Sequence, residues 1–508
     1  MSRLLKRSSL AAWLCLCLLA GLVAADSCSA IEAVAPSVQV KYRFDPAYTS
    51  TNSEYWSTTC IALKPSCIIY PSSSRDVTAI LGALRSNASD PEPFAVKSGG
   101  HNPNNYFASV DGGPLISTEK LNHVILDLET GIVRFGPGLR WDELADKLDG
   151  SGWSAVGGRM GNVGVGGYML GGGLSFMSQE YGWAANSVLE FELVVANGTV
   201  VTASEDRNPD LFRALKGGGN NFGIVTSFTA QAYRQGQVHG GVMVFPRSRD
   251  TDAKMLKAIQ DFTVYNDDDK AAVIPTQERA GGGIVDAWIV FMFYDGPSPP
   301  ETVFKNFTDI KHIVDARKTC SYAELVRTNN WAVLKGQAYV IGTETLPLPE
   351  DPSSDLAATM LPEIHEHWRE VSKQVDDAVG IIASIAYQPF PRRIAQVARD
   401  KGGDLLDMDD DVDRIIIELN YSFVVKKDYE RVGQTLEDTY GGMRDRVLAW
   451  QEAGQLPDAY APLFMNDAYD EQDYFSRLRP QHAELARSLA EELDPNGLFR
   501  ERTGGWKP

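Results

Sequence analysis

The sequence predicts an α+β protein with two domains, and three observations lead to that prediction. Its 508 residues exceed what one hydrophobic core usually organises. Residues 63–235 alternate strands with helices, and three glycine-rich segments lie between them. Residues 236–462 instead show long strands interleaved with helices, which indicates an antiparallel sheet with helices on one face.

The N-terminal residues predict export. In residues 1–25, Arg3, Lys6 and Arg7 precede an apolar run at 10–23, and Ala24 and Ala25 end it, the order found in a secretory signal peptide. A signal anchor is the alternative, but the apolar run is short for a membrane span. We therefore expect cleavage near Ala25, a secreted protein and no membrane association afterwards.

The cysteines and sequons agree with secretion. An even number of cysteines remains after cleavage, which suits disulfide formation outside the cell; they are Cys28, Cys60, Cys67 and Cys320. Their pairing stays open, and Cys320 can equally remain free. Four Asn-X-Ser/Thr sequons are glycosylation candidates, at Asn87, Asn197, Asn306 and Asn420.

Composition excludes one class of partner. The formal net charge is −19, whereas binding a phosphate backbone requires clustered Lys and Arg side chains. The sequence therefore favours an acidic enzyme acting on a small molecule over a nucleic-acid-binding protein.

The first domain begins after an arm. Residues 26–62 lack sustained periodicity and predict short extended pieces. A strand at 67–71 follows, then a capping box of Ser73 and Asp76 that starts an amphipathic helix, then a strand at 94–97. This order places His101 at the carboxyl end of a strand, where α/β sheets usually bind ligands.

The rest of the chain continues both patterns. Asn197-Gly198 between two apolar runs indicates a β-hairpin. The predicted elements of the first domain are strands at 121–128, 131–135, 188–195, 200–203 and 224–233 and helices near 141–148 and at 209–215. Those of the second are strands at 242–245, 287–294, 381–387 and 414–423 and helices at 252–266 and 361–375, followed by an amphipathic tail at 473–493.

The glycine-rich segments are the main functional signal. They span residues 97–102, 157–173 and 216–223. Glycines let a ligand approach main-chain N–H groups, so three such segments beside strands predict a site for an extended polyphosphate ligand.

Other chemistries are disfavoured. Met169 and Phe222 stand where a dinucleotide-binding Gly-x-Gly-x-x-Gly motif needs its third glycine, and neither a P-loop nor a Gly-x-Ser-x-Gly elbow occurs. His365-Glu366-His367 lacks the i, i+4 histidine spacing of a zinc helix, so we expect no metal.

The strings Lys-Ser-Gly-Gly-His-Asn, Gly-Val-Gly-Gly and Gly-Gly-Gly-Asn-Asn-Phe-Gly resemble the berberine-bridge-enzyme-like branch of the FAD-linked oxidases, within the vanillyl-alcohol-oxidase-type superfamily. The fungal secreted members are the most similar. The resemblance implies a two-part FAD-binding domain of the PCMH type at 63–235, a substrate domain at 236–462, and a C-terminal segment, 463–508, that returns to the FAD domain.

The resemblance also assigns residues. It implies that His101 forms a covalent bond to the 8α-methyl group of FAD. The remaining residues expected at the cofactor are Lys97, Ser98, Gly99, Gly100, Asn102, Gly164, Val165, Gly167, Gly171, Gly172, Ile224 and Asn466.

Two residues depart from the family pattern. Many relatives attach FAD a second time through a cysteine, but Met160 stands at that position, so we predict one tether. Phe464 replaces a tyrosine that some relatives use as a base. Glu418 and Tyr421, on a strand expected to face the flavin, remain as candidate catalytic residues, and their odd separation places at most one of them inward.

These expectations describe a monomeric secreted oxidase. It would pass a hydride from a small organic substrate, a secondary metabolite, to covalently bound FAD, and O₂ would reoxidise the flavin to give H₂O₂. The alternatives are a carbohydrate oxidase, a dehydrogenase with another electron acceptor, and a catalytically silent flavin-fold glycoprotein.

Overall fold

The computed structural model describes residues 26–86 and 91–508. The predicted signal peptide and the sequon at Asn87 lie outside the described residues. Helices and mainly antiparallel sheets form the expected mixed fold, and one four-stranded sheet of the first domain also has parallel pairings. Within the described ranges, every helix is too short or too polar to cross a membrane.

The segment before the first domain is largely helical, which corrects the prediction of an extended arm. Side chains of Asp26, Asp45 and Ser57 each accept a hydrogen bond from a backbone N–H two or three residues later and so cap a short helix. Helices this short show too few turns for periodicity to reveal them. The elements are α1 (Ser27–Val34), β1 (Gln39–Tyr42), α2 (Pro46–Ser53) and α3 (Thr58–Ala62).

A disulfide ties this segment to the first domain. Cys28 of α1 is bonded to Cys67, which resolves the pairing that the sequence left open. Cys60 and Cys320 are free and buried.

The half of the chain in which FAD binding is predicted, called the FAD-binding half below, contains two main sheets. Strands run in the order β1-β2-β4-β3 in one and β5-β6-β10-β8-β9 in the other. Strands β8 and β9 form the predicted hairpin around Asn197-Gly198. The strands are β2 (Cys67–Tyr70), β3 (Ala95–Lys97), β4 (Pro114–Ser117), β5 (Val124–Leu126), β6 (Ile132–Phe135), β7 (Trp153–Ser154), β8 (Val188–Val194), β9 (Val200–Ser204), β10 (Ile224–Gln231) and β11 (Tyr233–Arg234).

Helices cover these sheets. Ser73 Oγ accepts a hydrogen bond from the N–H of Asp76 at 3.2 Å, as the capping prediction required. The second glycine-rich segment, expected to be a loop, contains a six-residue helix. The helices are α4 (Ser74–Ser86), α5 (Trp141–Leu148), α6 (Val165–Leu170), α7 (Ser178–Tyr181) and α8 (Pro209–Ala214).

The second half is an antiparallel sheet of eight strands. The main order is β15-β12-β14-β13-β18-β19-β17, with β16 paired to β12. The strands are β12 (Val238–Pro246), β13 (Ala271–Ala280), β14 (Val285–Tyr294), β15 (Val314–Asp315), β16 (Lys318–Cys320), β17 (Ala338–Pro347), β18 (Ile382–Phe390) and β19 (Arg414–Phe423).

Long helices pack on one face of this sheet, as predicted. Their apolar side chains share a core with alternate residues of the strands. The helices of the second half are α9 (Arg249–Tyr265), α10 (Lys305–Thr308), α11 (Tyr322–Thr328), α12 (Asp355–Ser372), α13 (Arg392–Asp400) and α14 (Tyr429–Glu452). Two of them, α11 and α13, lie outside this core and pack instead against α5 and α7 of the first half. The other face of the sheet is turned toward the FAD-binding half and forms one wall of a cavity.

The C-terminal segment packs against the FAD-binding half. It contains α15 (Pro480–Leu493) and α16 (Leu498–Arg502). The Arg502 side chain donates hydrogen bonds to the carbonyl oxygens of Leu84 and Glu92, at 2.7 and 2.8 Å. The carbonyl oxygen of Arg502 in turn accepts from the N–H of Phe94 at 2.8 Å, so the end of the chain holds the strand that leads to His101.

Candidate active site

His101 lies just after β3 and is held by an aromatic ring. The Trp56 ring stacks on the imidazole with 4.5 Å between ring centroids. Burial, together with the charge of Arg140, lowers the pKa of His101 to about 3. At neutral pH the imidazole is therefore uncharged, and one of its two ring nitrogens has a free lone pair for bonding.

Two glycine-rich segments meet at this histidine. A Cβ atom added to Gly99 would lie 2.5 Å from the Cα and N atoms of Gly164, so no other residue fits at either position. Ser98 joins the segments further: its Oγ donates to the carbonyl oxygen of Pro137 at 2.6 Å and accepts from the N–H of Gly166 at 3.2 Å. The segments thus form one continuous main-chain surface.

A cavity of about 380 Å³ lies between this surface and the eight-stranded sheet. It is large enough for a small-molecule ligand. Most of the residues predicted at the cofactor line it: Ser98, Gly99, Gly100, His101, Asn102, Gly164, Gly167, Gly171, Ile224 and Asn466. Met160 also lines the cavity, and its thioether stands in place of the cysteine of relatives.

Three predicted cofactor residues do not line the cavity. Lys97 is 2 % exposed, and its ammonium group lies 5.0 Å from the centroid of the Tyr55 ring. Val165 is buried in the apolar core behind α6. A Cβ on Gly172 would face Leu406. These three residues support the cavity wall from behind.

Asn466 joins the C-terminal segment to the second glycine-rich segment. Its Oδ1 accepts a hydrogen bond from the N–H of Gly173, and its Nδ2 donates to the carbonyl oxygen of Tyr168, both at 3.2 Å. A Cβ on Gly171 would lie 2.5 Å from Asn466 Oδ1. Gly171 is therefore required for this contact rather than for a loop.

The structure separates the two candidate catalytic residues, as strand alternation required. Glu418 lines the cavity. Tyr421 lies on the helix side of β19, where its hydroxyl group bonds with Ser372 at 2.8 Å and Thr439 at 3.1 Å. Of the pair, Glu418 alone faces the site.

Glu418 belongs to a buried group of polar side chains. Asp467, Arg159 and Gln388 lie close to it: Gln388 Nε2 donates to Asp467 Oδ2 at 2.8 Å, and Arg159 donates to Gln388 Oε1. Burial and the nearby Asp467 raise the pKa of Glu418 to about 8, and burial also raises the pKa of Asp467. The two carboxyl groups therefore hold a proton near neutral pH.

Sequence reasoning missed several residues of the cavity. They are Trp56, Arg159, Tyr168, Glu278 and Asp467. Trp56 lies between the short helices α2 and α3, and Glu278 lies on strand β13. Periodicity in the sequence revealed neither these helices nor this strand. Asp467 directly follows Asn466, so the Asn motif offered a local signal for it.

The residues present fit a flavin dinucleotide. His101 Nε2 is buried and has no hydrogen-bond partner among the described residues, and the same holds for the Tyr168 hydroxyl group. The N–H groups of Gly99, Gly100 and His101 donate no hydrogen bond to any described residue. Unpaired N–H groups on a surface without side chains are suited to a diphosphate.

The remaining candidate features lie elsewhere. His365 is buried and bonds with the Tyr387 hydroxyl group at 2.8 Å. Across residues 26–86 and 91–508, no three His, Cys, Asp or Glu side chains are grouped to hold a metal ion. Asn197 and Asn306 are exposed, whereas Asn420 lines the cavity beside Glu418.

Comparisons with known proteins identify the family of the chain. The family described as the FAD binding domain matches residues 65–204. An uncharacterised FAD-linked oxidoreductase of Arthroderma benhamiae is 38 % identical over 479 residues, which cover 94 % of each chain. The chain therefore belongs to the FAD-linked oxidoreductases. It is an enzyme that binds FAD.

Solved structures show the same fold. A variant of the berberine-bridge-enzyme-like protein 1 of Physcomitrella patens has a TM-score of 0.75 at 16 % identity and covers 94 % of this chain and 98 % of that one. The xylooligosaccharide oxidase of Myceliophthora thermophila, in complex with xylobiose, has a TM-score of 0.72 at 19 % identity and covers 94 % and 99 %.

Proposed function

We propose that the protein is a secreted FAD-dependent oxidase that acts on a small organic substrate, a secondary metabolite, with FAD tethered once, at His101. The observation that carries the proposal is the cavity itself. One wall holds a neutral, buried imidazole with an unpartnered nitrogen, and the opposite wall holds the carboxyl group of Glu418.

Bound FAD would supply the hydride acceptor, with O₂ as the final oxidant, reduced to H₂O₂. The chain supplies binding and proton transfer. The amides of Gly99, Gly100 and His101 would hold the diphosphate. His101 would fix the position of the cofactor and withdraw electron density from it.

Glu418 accepts the proton that the substrate loses. Removal of a hydride from an alcohol or amine carbon leaves a proton on the heteroatom, and a general base must stand within hydrogen-bond reach. Burial and the nearby Asp467 raise the pKa of Glu418, and Arg159 stabilises the negative charge that remains on the two carboxyl groups. Asp467 is buried, whereas Glu418 and Arg159 are half-buried at the cavity wall.

Acid precipitation tests the tether. Denatured wild-type protein should give a yellow pellet, whereas His101→Ala should give a colourless pellet and a yellow supernatant. His123→Ala is the matched control, because His123 is a half-buried histidine of the same half that bonds to Ser227 instead. A colourless wild-type pellet would exclude the covalent bond.

A carbohydrate oxidase is the second candidate. A row of groups that can bind hydroxyls lies on the cavity wall: Ser384, Asn420 and Glu278. Oxygen uptake distinguishes the candidates, because xylobiose should be consumed only by a carbohydrate oxidase. Slow reoxidation in air would indicate a dehydrogenase, and no turnover of any substrate a silent binding protein.

Secretion is supported by the disulfide and by the exposed sequons. A Cys28–Cys67 bond persists in an oxidising compartment, and Asn197 and Asn306 are accessible to glycosylation. Expression in a eukaryotic host should yield a monomer in the medium that begins near Asp26. N-terminal sequencing, deglycosylation and light scattering check these three points.

A further inference from the structure

The charges in the cavity do not balance. Three carboxyl groups line it, those of Glu278, Glu418 and Asp467, and one guanidinium, that of Arg159. Glu418 and Asp467 lie together, and the charge of Arg159 acts on both. Since that pair holds a proton, Arg159 offsets its remaining charge. No cationic side chain among the described residues of the cavity lining therefore remains to offset the charge of Glu278.

Strand alternation aims Glu278 into the cavity. Its neighbours on β13 point to the helix side, where Gln277 donates to Asp286 at 2.8 Å and Arg279 forms an ion pair with Asp376 at 3.0 Å. Glu278 therefore points to the opposite face. There it stands opposite Ser384 of β18, which in turn stands opposite Asn420 of β19.

Glu278 has no counter-charge within the described residues. Burial alone raises the pKa of its carboxyl group, with no contribution from a neighbouring cation or hydrogen bond. Glu278 is partly buried at the cavity wall. A partly buried carboxylate without a partner is unfavourable, and a cation that reached it would reduce that cost. Because Glu278 lines an open cavity, the partner can come from a ligand.

We propose that Glu278 binds a protonated amine of the substrate and so selects amphipathic amines over neutral and anionic molecules. This inference rests on the proposed function. Ile274 and Phe291, which also line the cavity, offer an apolar surface for the rest of such a molecule. Hydroxyl groups of a sugar would satisfy hydrogen bonds but would leave the carboxylate charge without a counterion.

The amine anchors the substrate and is not the reacting group. Glu278 lies two strands away from β19, which is roughly 10 Å at about 5 Å between neighbouring strands. Asn420 is the residue of β19 in register with Glu278, and Glu418 lies two residues before Asn420 on the same face of that strand. A molecule that spans this distance places its amine at Glu278 and its oxidisable carbon near Glu418.

Ligand titration of the yellow holoenzyme at neutral pH tests the proposal. The probes are benzylamine, benzyl alcohol and xylobiose, and the readouts are the shift of the flavin absorbance and the heat of binding. In the wild type, benzylamine should bind at least tenfold more tightly than benzyl alcohol, because a charge-assisted hydrogen bond replaces a neutral one. In Glu278→Gln that preference should vanish.

Thr276→Val is the matched control, because Thr276 lies on the same face of β13 and also lines the cavity. It should change the affinities for benzylamine and benzyl alcohol alike and keep their ratio. If Glu278→Gln does not fold, Glu278→Asp withdraws the carboxylate by one methylene and should reduce the ratio.

Equal binding of benzylamine and benzyl alcohol to the wild type would overturn the proposal. An unchanged ratio in Glu278→Gln would also overturn it, as would tight binding of xylobiose that depends on Glu278. None of these results affects the acid-precipitation test or the oxygen-uptake test. The proposed oxidase function is therefore tested independently of the amine site.

Discussion

The two walls of the cavity are built from different parts of the chain. The FAD-side wall is main chain, exposed by glycines that pack against each other. The sheet-side wall consists of side chains such as Glu278, Ser384 and Glu418, which alternate from otherwise ordinary strands. A main-chain wall recognises a constant ligand and tolerates no side chain where its glycines pack against each other, whereas a side-chain wall can change its ligand one residue at a time.

The largest effect should come from the main-chain wall. Gly99→Ala forces a methyl group against the backbone of Gly164, so we expect about 2–3 kcal/mol or more of destabilisation and loss of bound FAD. Flavin absorbance per protein and urea denaturation measure both. Gly82→Ala is the control: nothing lies within 4 Å of its added Cβ in α4, and it should stabilise the protein by about 0.5–1 kcal/mol. A yellow Gly99→Ala protein would refute the distinction between the walls.

On the side-chain wall, Glu418→Gln should lower kcat by about 10²–10⁴-fold, the usual contribution of a general base. FAD content should stay normal, because Glu418 lies on the opposite wall from the glycines. Stopped-flow reduction of the flavin measures the step directly. Tyr421→Phe is the control, since its hydroxyl group faces the helices. Equal losses in both variants would remove Glu418 from the proton transfer.

The pH dependence should separate catalysis from stability at this same residue. The base must be ionised, so kcat/KM should rise with pH through an apparent pKa near 8. Stability moves the other way. The pKa of Glu418 is raised from 4.5 to about 8 on folding, so its stabilising contribution is complete below pH 4.5 and is lost as pH rises to about 8.

In Glu418→Gln this loss of stability with rising pH should disappear, because the glutamine side chain does not ionise. The melting temperature of this variant at pH 8 should exceed that of the wild type by an amount on the order of a few degrees. Thermal scans at pH 5 and pH 8 check this. A variant that is less stable than the wild type at both pH values would show that Glu418 supports the fold rather than the reaction.

The smallest effect should come from Ser384→Ala. Ser384 lies on the sheet-side wall between Glu278 and Asn420, and loss of one neutral hydrogen bond costs about 0.5–1.5 kcal/mol. We expect KM to rise about three- to tenfold with unchanged kcat and a normal yellow pellet. A change in FAD content would show that this wall also contacts the cofactor.

The same difference explains what the sequence could predict. Glycines leave a dense local pattern, so the FAD-binding segments, His101 and the hairpin at Asn197 could be recognised directly. Glu278 leaves no such pattern, because its place in the cavity depends on the pairing of strands that are far apart in the chain. All ten residues of β17 are buried, and without alternation this strand could not be distinguished from a loop or a helix.

Three sequence predictions depended on fine geometry. Lys97, Val165 and Gly172 belong to cavity-forming segments, yet their side chains or Cα atoms face away from the space. Strand alternation could predict that Glu418 and Tyr421 lie on opposite faces of the sheet. Only the register of β19 decides which of them faces the cavity.

The contacts of the C-terminal segment with the FAD-binding half have a consequence for how the cofactor site forms. Asn466 and Trp506 line the same cavity as His101, and Arg502 ties down the strand that carries it. Segments far apart in the chain must therefore come together before the cavity is complete. We expect substitutions in this C-terminal segment to lower the amount of bound flavin.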